Sequence, residues 1–230
     1  MNRFIATIEG KRALLNPEES FHCAKVLRQK TGETVELIDG KGSFYEGILI
    51  RIHEKQCEAE ITSGPVVQQQ RNYQLHLAVA PTKNIDRTEW MLEKAVEIGI
   101  DEVSFMRCKN SERTVIKHDR MQKIVESAVK QSKQSLIPRV HDMRKFDDLL
   151  DTPADLKLLA YCGEGEKSEL RHLPVNGKHV TILIGPEGDF SREEVKAALD
   201  KGFQLVSLGN SRLRTETAAL VAVMTLSVNS

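Results

Sequence analysis

The chain has 230 residues, 40% of them hydrophobic and 29% charged, a composition typical of a globular protein with one large domain or two smaller ones. Its 33 lysines and arginines balance its 33 aspartates and glutamates, so contact with a polyanion must depend on a local cluster of positive charge. It has no apolar run near the roughly 20 residues of a membrane span and no signal-peptide segment in MNRFIATIEGKR, so we expect a cytoplasmic protein without a membrane partner. Its four cysteines form no CxxC pair, so we expect neither a disulfide framework nor a zinc site.

Residues 1–70 predict a small β-barrel. The stretch PEESFHCAKVLRQ (17–29) has Pro17 in a favourable first-turn position and predicts one short helix. Short strand-like runs with glycine turns between them surround this helix, and GPVVQQQRN (64–72) is the predicted linker. The predicted strands of this region cover residues 33–40, 43–54 and 56–64.

Residues 73–230 alternate between predicted strands and helices. The segment TILIG (181–185) is apolar on both faces, which is typical of a parallel sheet covered by helices on each side. We therefore predict an α/β domain. Its predicted strands cover 73–80, 101–108, 156–162, 179–185 and 203–209, and its predicted helices cover 87–99, 118–134, 192–202 and 215–229.

Two of these strands end in glycine-containing loops. The first loop is GPEG (185–188), followed by Ser191 and Glu194 in the pattern of a capping box. The second begins the stretch LGNSRLRTETAAL (208–220). Ligands bind beyond the carboxyl ends of strands in open α/β sheets, and glycine permits close approach of the backbone, so the two loops are candidates for a shared binding site. Each loop taken alone fits a simple turn as well, with solvated arginines and with Thr215 or Thr217 capping the last helix.

Several common sites lack their sequence motifs. The chain has no GxGxxG after its first α/β strand, no GxxxxGK[ST], no GxSxG and no histidine pair at metal-binding spacing. These absences argue against dinucleotide-binding, P-loop, hydrolase and metalloenzyme readings, and we predict no metal site.

The pair LIGPEGDFSREE and LGNSRLRTETAAL resembles the C-terminal motifs of the SPOUT-class RNA methyltransferases, in particular the family that methylates N3 of a uridine in small-subunit (16S) ribosomal RNA. RTEWMLEKAVEIGIDEV, SERTV and AVKQSKQSLIPRV resemble the first α/β segment of that family, and HCAKVLRQKTGETVELIDGKGSFYEGILI resembles its N-terminal PUA-type barrel. Asp189, where many members have another glycine, and Asn210-Ser211, where a proline-arginine pair is frequent, depart from the family pattern.

The resemblance implies a C-terminal trefoil knot that binds S-adenosylmethionine, and a homodimer whose site is shared between subunits. A helix over 215–229 that is apolar on more than one face also favours a dimer. The cofactor-binding residues implied by the motifs are Leu183, Ile184, Gly185, Pro186, Glu187, Gly188, Leu208, Gly209, Asn210, Leu213, Thr215, Thr217 and Ala218.

Methylation of N3 requires uridine to lose a proton. We expect Arg214 to stabilise the negative charge that develops on the uracil oxygens, and Glu187 or Glu216 to handle the proton or orient the base. An alternative role stays open for each of two residues. The alternative for Arg214 is contact with a phosphate or with a carboxylate across the dimer, and the alternative for Glu216 is compensation of the positive end of the helix dipole.

The predicted RNA surface includes the segment from Lys109 to Arg139, where eight basic residues stand against three acidic ones. A solvated helix face is the alternative interpretation. The candidate RNA contacts are Arg3, Arg12, Lys25 and Arg28 in the barrel and Arg113, Arg120 and Lys133 in that segment. The predicted function is therefore an rRNA methyltransferase. A non-catalytic RNA-binding or ribosome-assembly protein that retains the fold is the alternative.

Overall fold

A computed structural model of the chain describes residues 1–69 and 71–229. The chain forms two compact units. The first comprises Met1–Gln70 with Val129–Ile137, and the second comprises Arg71–Ala128 with Pro138–Ser230.

The first unit is a closed five-stranded barrel in the order β1-β2-β5-β4-β3, in which the pairing of β1 with β3 is parallel. Inward-facing apolar residues such as Phe4, Leu37 and Leu49 form its core, and all three are fully buried. The predicted barrel is thus confirmed. Its strands are β1 (Arg3–Glu9), β2 (Arg12–Leu15), β3 (Thr34–Ile38), β4 (Ser43–Arg51) and β5 (Glu58–Val67).

The barrel differs from the sequence prediction at two places. Strands β1 and β2 were not predicted, although RFIATIE alternates between buried and more exposed positions as a barrel strand should. Strand β5 continues to Val67, past the predicted start of the linker, because Gly64 and Pro65 occupy a bulge opposite Tyr45, where neither has to fit the regular strand ladder.

The helix predicted over 17–29 is shorter than expected. Helix α1 (Pro17–Phe21) begins after Asn16, whose side chain accepts a hydrogen bond from the backbone N–H of Glu19. It passes directly into one π-helical turn, His22–Val26. The helical segment ends there.

The second unit is an all-parallel, eight-stranded sheet in the order β11-β13-β10-β12-β6-β7-β8, with β9 also paired to β7. The predicted α/β architecture is confirmed. The strands are β6 (Gln74–Val79), β7 (Glu102–Arg107), β8 (Arg139–Val140), β9 (Arg144–Lys145), β10 (Leu156–Ala160), β11 (Ser168–Glu169), β12 (His179–Ile184) and β13 (Gln204–Ser207). The helices are α2 (Ile85–Ile98), α3 (His118–Gln131), α4 (Phe146–Leu150), α5 (Arg192–Asp200) and α6 (Thr215–Val228), of which α3 ends within Val129–Ile137 of the first unit.

Helices cover both faces of this sheet. Leu159 and Leu183 lie in a buried apolar cluster with residues of α4 and α5, while α6 packs against α2, β6 and β12. The sequence prediction missed β8, β9, β11 and α4. The three strands have two residues each and the helix has five, which is too short to show the period of either element. The knotted path of the C-terminal segment stays a prediction. Among the described residues, no helix is both long and apolar enough to cross a membrane.

Candidate functional site

A cavity of about 670 Å³ lies at the carboxyl ends of β10, β12 and β13 in the second unit. Because parallel strands all end at the same edge of a sheet, the loops that follow these strands converge here. The cavity has the size of a pocket for a cofactor or another small molecule. Its lining comes from residues 160–163 and 167, residues 184–187 and 189, and residues 206–215 and 218.

The loop after β12 approaches its surroundings closely. Gly185 is buried, and a Cβ atom at this position would lie 3.0 Å from the ring of Phe190. Ser191 and Glu194 then form the predicted capping box at the start of α5, in which each side chain accepts a hydrogen bond from the backbone N–H of the other residue. The capped helix fixes the end of the loop.

Asp189 connects the loops after β10 and β12. Its backbone has φ +60°, the left-handed region that aspartate tolerates better than most residues. One carboxylate oxygen accepts from the backbone N–H of Cys162 at 3.1 Å and the other from that of Phe190 at 2.8 Å. A single side chain therefore holds two of the three segments that line the cavity.

The third segment turns sharply at Gly209, which has φ +125° and open space where a Cβ atom would lie. The hydroxyl of Ser207 bonds both backbone groups of Gly209. Thr215 begins α6 and donates from its hydroxyl to the carbonyl oxygen of Gly185 at 3.1 Å, which ties this segment to the loop after β12. The alternative interpretation, in which Thr215 or Thr217 caps α6, is wrong, because Arg214 is the N-cap residue and makes no side-chain capping bond.

The structure places ten of the thirteen expected cofactor residues around the cavity. Leu183 lies instead in the apolar cluster beneath α4 and α5, Gly188 faces Asn110, and Thr217 is exposed on α6. The ten lining residues are Ile184, Gly185, Pro186, Glu187, Leu208, Gly209, Asn210, Leu213, Thr215 and Ala218.

The charged side chains at the cavity differ in how they are held. Arg212 and Arg214 line it, are exposed, and form no ion pair within residues 1–69 and 71–229. Glu187 also lines it, and one of its carboxylate oxygens accepts from the backbone N–H of Lys83 at 2.9 Å. The two arginines therefore remain available for an anionic ligand.

Glu216 lies elsewhere. It is buried, its nearest charged partner is Arg87 of α2 at 3.6 Å, and its second carboxylate oxygen has no hydrogen-bond partner among the described residues. The first turn of α6 thus directs Thr215 toward the cavity and Glu216 toward α2. This placement argues against the expected catalytic role for Glu216.

Sequence reasoning missed the segment that follows β10. Tyr161, Cys162 and Gly163 line the cavity, as does Lys167, whose ammonium group donates to the carbonyl of Gly163 and lies 5.9 Å from the centre of the Tyr161 ring. The available signal was the glycine-containing exit YCGEGEK after a buried strand, the same pattern that identified the other two loops.

The candidate RNA contacts in the barrel fall into two groups. Arg3 has a side chain only 10% exposed, donates two hydrogen bonds to Glu36 and lies over the ring of Phe44, so we withdraw it as an RNA contact. Arg12 and Arg28 are exposed, and Lys25 is exposed but paired with Glu54 at 3.2 Å.

The candidates between Lys109 and Arg139 are also divided. The guanidinium of Arg113 donates to the carbonyls of Thr82 and Lys83 and so holds the loop after β6. Arg120 forms a bidentate ion pair with the carboxylate of Glu89. Lys133 is exposed and belongs to the part of the chain that packs in the first unit.

The barrel and the parallel-sheet unit agree with the family comparisons. Residues 69–227 match the RNA methyltransferase domain, and residues 15–62 match the RNA methyltransferase PUA domain. The chain belongs to the RNA methyltransferase family.

The names of individual relatives are more specific than the family description. A ribosomal RNA small subunit methyltransferase E from Mesomycoplasma hyopneumoniae is 33% identical over 151 residues, which are 64% of this chain and 65% of that protein. The crystal structure of a probable rRNA-methyltransferase from Porphyromonas gingivalis is 40% identical, with a TM-score of 0.88 over 100% of this chain and 98% of that one. A ribosomal RNA small subunit methyltransferase E from Neisseria gonorrhoeae, crystallised with S-adenosyl methionine, is 27% identical, with a TM-score of 0.85 over 97% and 95% of the two chains.

Proposed function

We propose that this protein transfers a methyl group from S-adenosylmethionine to N3 of a uridine in 16S ribosomal RNA. The observation that carries the proposal is the cavity itself, where three strand exits converge and which Arg212 and Arg214 line without an ion-pair partner among the described residues. Family membership supports the reaction type, and the names of the relatives support the small-subunit RNA as substrate.

The residues present fit the cofactor. Ile184, Val206, Leu208 and Leu213 give the cavity an apolar lining suited to an adenine ring. The open space beside Gly209 lets a ligand approach the backbone, where main-chain N–H and C=O groups offer hydrogen bonds. S-adenosylmethionine, when bound, supplies a methyl group activated by its attachment to a sulfonium.

The protein's own residues would position the base and manage one proton. The N3–H of uridine is weakly acidic, and its loss leaves negative charge on the two uracil oxygens. Arg214 is the proposed cation for that charge, because it is exposed at the cavity and has no ion-pair partner in the described chain. Glu187, which also lines the cavity, is the proposed proton-handling group.

RNA binding would use the barrel as well. Arg12, Arg28 and Lys133 are exposed in the first unit, and we propose them as phosphate contacts, which supply affinity without sequence specificity. The site of action would be the cytoplasm, where ribosomal subunits are assembled.

We also propose a homodimer. Helices α2 and α6 pack on each other and expose Trp90, Met224 and Val228, which are 49%, 47% and 71% accessible. Exposed apolar side chains on neighbouring helices favour a protein partner, and a second copy of the chain is the one the family implies. Sedimentation should give a dimer at micromolar concentration, and a monomer would contradict this part of the proposal.

The experiment compares wild type with Arg214→Ala, and uses Arg192→Ala as the control because Arg192 is an exposed arginine that does not line the cavity. Single-turnover methylation is measured at saturating small subunits from cells that lack the gene, and S-adenosylmethionine affinity by calorimetry. We expect Arg214→Ala to be on the order of 100-fold slower with cofactor affinity unchanged, as for loss of one transition-state contact.

Other outcomes have distinct meanings. A near-normal rate at saturation would remove Arg214 from the reaction, and weaker RNA affinity with an unchanged rate would make it a phosphate contact. No cofactor binding by the wild type at millimolar concentration would favour the non-catalytic RNA-binding or assembly protein. Nucleoside mass spectrometry of 16S rRNA from cells with and without the gene tests the position of the methyl group.

A further inference from the structure

Two histidines and a glutamate meet on the parallel sheet away from the cavity. His76 and Glu102 are register partners on β6 and β7, near the amino ends of these strands. His141 follows β8, and its backbone N–H donates to the carbonyl of Val103 at 2.9 Å, which brings its side chain beside the other two. One potential ligand atom from each of the three side chains lies within 4.8 Å of those of the other two.

The hydrogen bonds of this cluster are incomplete. His76 is only 2% exposed, and its Nε2 bonds the hydroxyl of Ser104 at 2.8 Å. Its Nδ1 has no hydrogen-bond partner among the described residues. Buried polar atoms are nearly always satisfied, so this nitrogen points to a ligand beside it.

The side chains of the cluster are of types that bind cations. Imidazole nitrogens and carboxylate oxygens are common ligands of divalent transition metals. The ring of His141 lies beside that of His76, with centroids 5.6 Å apart, and its Nε2 lies 2.6 Å from a carboxylate oxygen of Glu102. The cluster therefore presents two imidazoles and a carboxylate.

We propose that His76, Glu102 and His141 bind one divalent transition-metal ion. Two imidazoles and a carboxylate suit Zn²⁺, with water as the fourth ligand. Ligand atoms of a tetrahedral zinc site are about 3.3 Å apart. The contact between His141 and Glu102 would therefore open slightly, and the proton they share would pass to solvent.

Such an ion would join three parts of one sheet. The ion would connect β6, β7 and the residue after β8 near the amino ends of the strands, whereas the cavity lies at carboxyl ends. This position indicates a structural role independent of methyl transfer. The ligands are 26 and 39 residues apart in the sequence, on separate strands, so no spacing motif marks the site.

The test uses the full-length protein stripped with a chelator and then titrated with Zn²⁺ alone against a chromophoric competitor. We expect one equivalent of Zn²⁺ to bind, and Co²⁺ to give the visible absorption of a tetrahedral site. Glu102→Gln, which preserves size, and His141→Ala should each weaken Zn²⁺ binding by more than about 100-fold, since even second-layer changes cost 10- to 100-fold.

His172→Ala is the matched control, because His172 is an exposed histidine 3.7 Å from a carboxylate of Glu169 but has no place in the cluster. It should leave the Zn²⁺ affinity unchanged. The proposal is overturned if the wild type binds no stoichiometric Zn²⁺, or if His172→Ala weakens binding as much as the cluster variants do. The wild-type titration decides this even if a variant fails to fold.

Discussion

Asp189 holds two cavity loops together through the hydrogen bonds of its carboxylate, and its backbone is in the left-handed region. Two substitutions at this position separate the effect of the hydrogen bonds from that of the backbone strain. Asp189→Ala removes both hydrogen bonds from its carboxylate to the N–H groups of Cys162 and Phe190. At roughly 0.5–1.5 kcal/mol for each bond, the free energy of unfolding should fall by about 1–3 kcal/mol. Alanine must also adopt φ +60° without the local hydrogen bond that helps aspartate do so.

Asp189→Gly removes the same two hydrogen bonds but relieves the strain of the left-handed backbone. The strain is worth roughly 1–2 kcal/mol, and the greater freedom of glycine in the unfolded chain offsets part of it, so the glycine variant should be more stable than the alanine variant by about 1 kcal/mol. This order reverses the usual preference for alanine over glycine.

Urea unfolding of wild type, Asp189→Ala and Asp189→Gly measures the stabilities, and calorimetry measures S-adenosylmethionine affinity. Both variants should bind the cofactor at least about tenfold more weakly, because the segment at Cys162 is no longer tied to the loop after β12. If alanine is as stable as glycine, the backbone-strain argument fails. If both match wild type, the two hydrogen bonds contribute nothing and the proposed linkage of the loops is refuted.

Three further predictions concern stability. The pKa of His76 falls from 6.5 in the unfolded chain to about 4 in the folded protein. The free energy that neutral His76 contributes to stability is therefore complete above pH 6.5 and is lost as the pH falls toward 4. In the presence of a chelator, urea unfolding at several pH values should show a loss of about 3 kcal/mol in wild type and none in His76→Gln. Arg87→Ala should destabilise the protein more than Glu216→Gln, because only the first leaves a buried carboxylate without its cation; equal losses in thermal unfolding would contradict this. Ser191→Ala should cost about 1 kcal/mol through loss of the cap on α5, and an unchanged melting temperature would show that the capping box contributes little.

Two of the three loops that line the cavity could be predicted from local sequence, and the third could not. GPEG and the loop at Gly209 both follow apolar strands, and parallel strands end at a common edge, so their convergence was predictable. The exit after β10 has the same character, but its membership depends on β10 lying between β12 and β13, and this order is not encoded in any single segment.

The roles of individual charged residues depended on contacts distant in sequence. Arg3 resembles a free basic residue until Glu36, 33 positions away, is placed beside it by the pairing of β1 with β3. Glu216 and Arg214 are separated by one residue, yet the start of α6 at Thr215 directs Glu216 to α2 and leaves Arg214 at the cavity. Sequence identified the correct stretch, and helix geometry decided which charges face the ligand.

The return of Val129–Ile137 to the first unit has a consequence during synthesis of the chain. The turn at Gly40 and Gly42 exchanges backbone hydrogen bonds with Ile137 and Ser135, and the side chain of Gln68 accepts from the N–H of Ser135. All five barrel strands are complete by Val67, about 70 residues before Ile137 is added. At roughly 5–20 residues per second, the translating ribosome would hold a closed barrel with these polar groups facing water for about 4–14 s before their partners emerge.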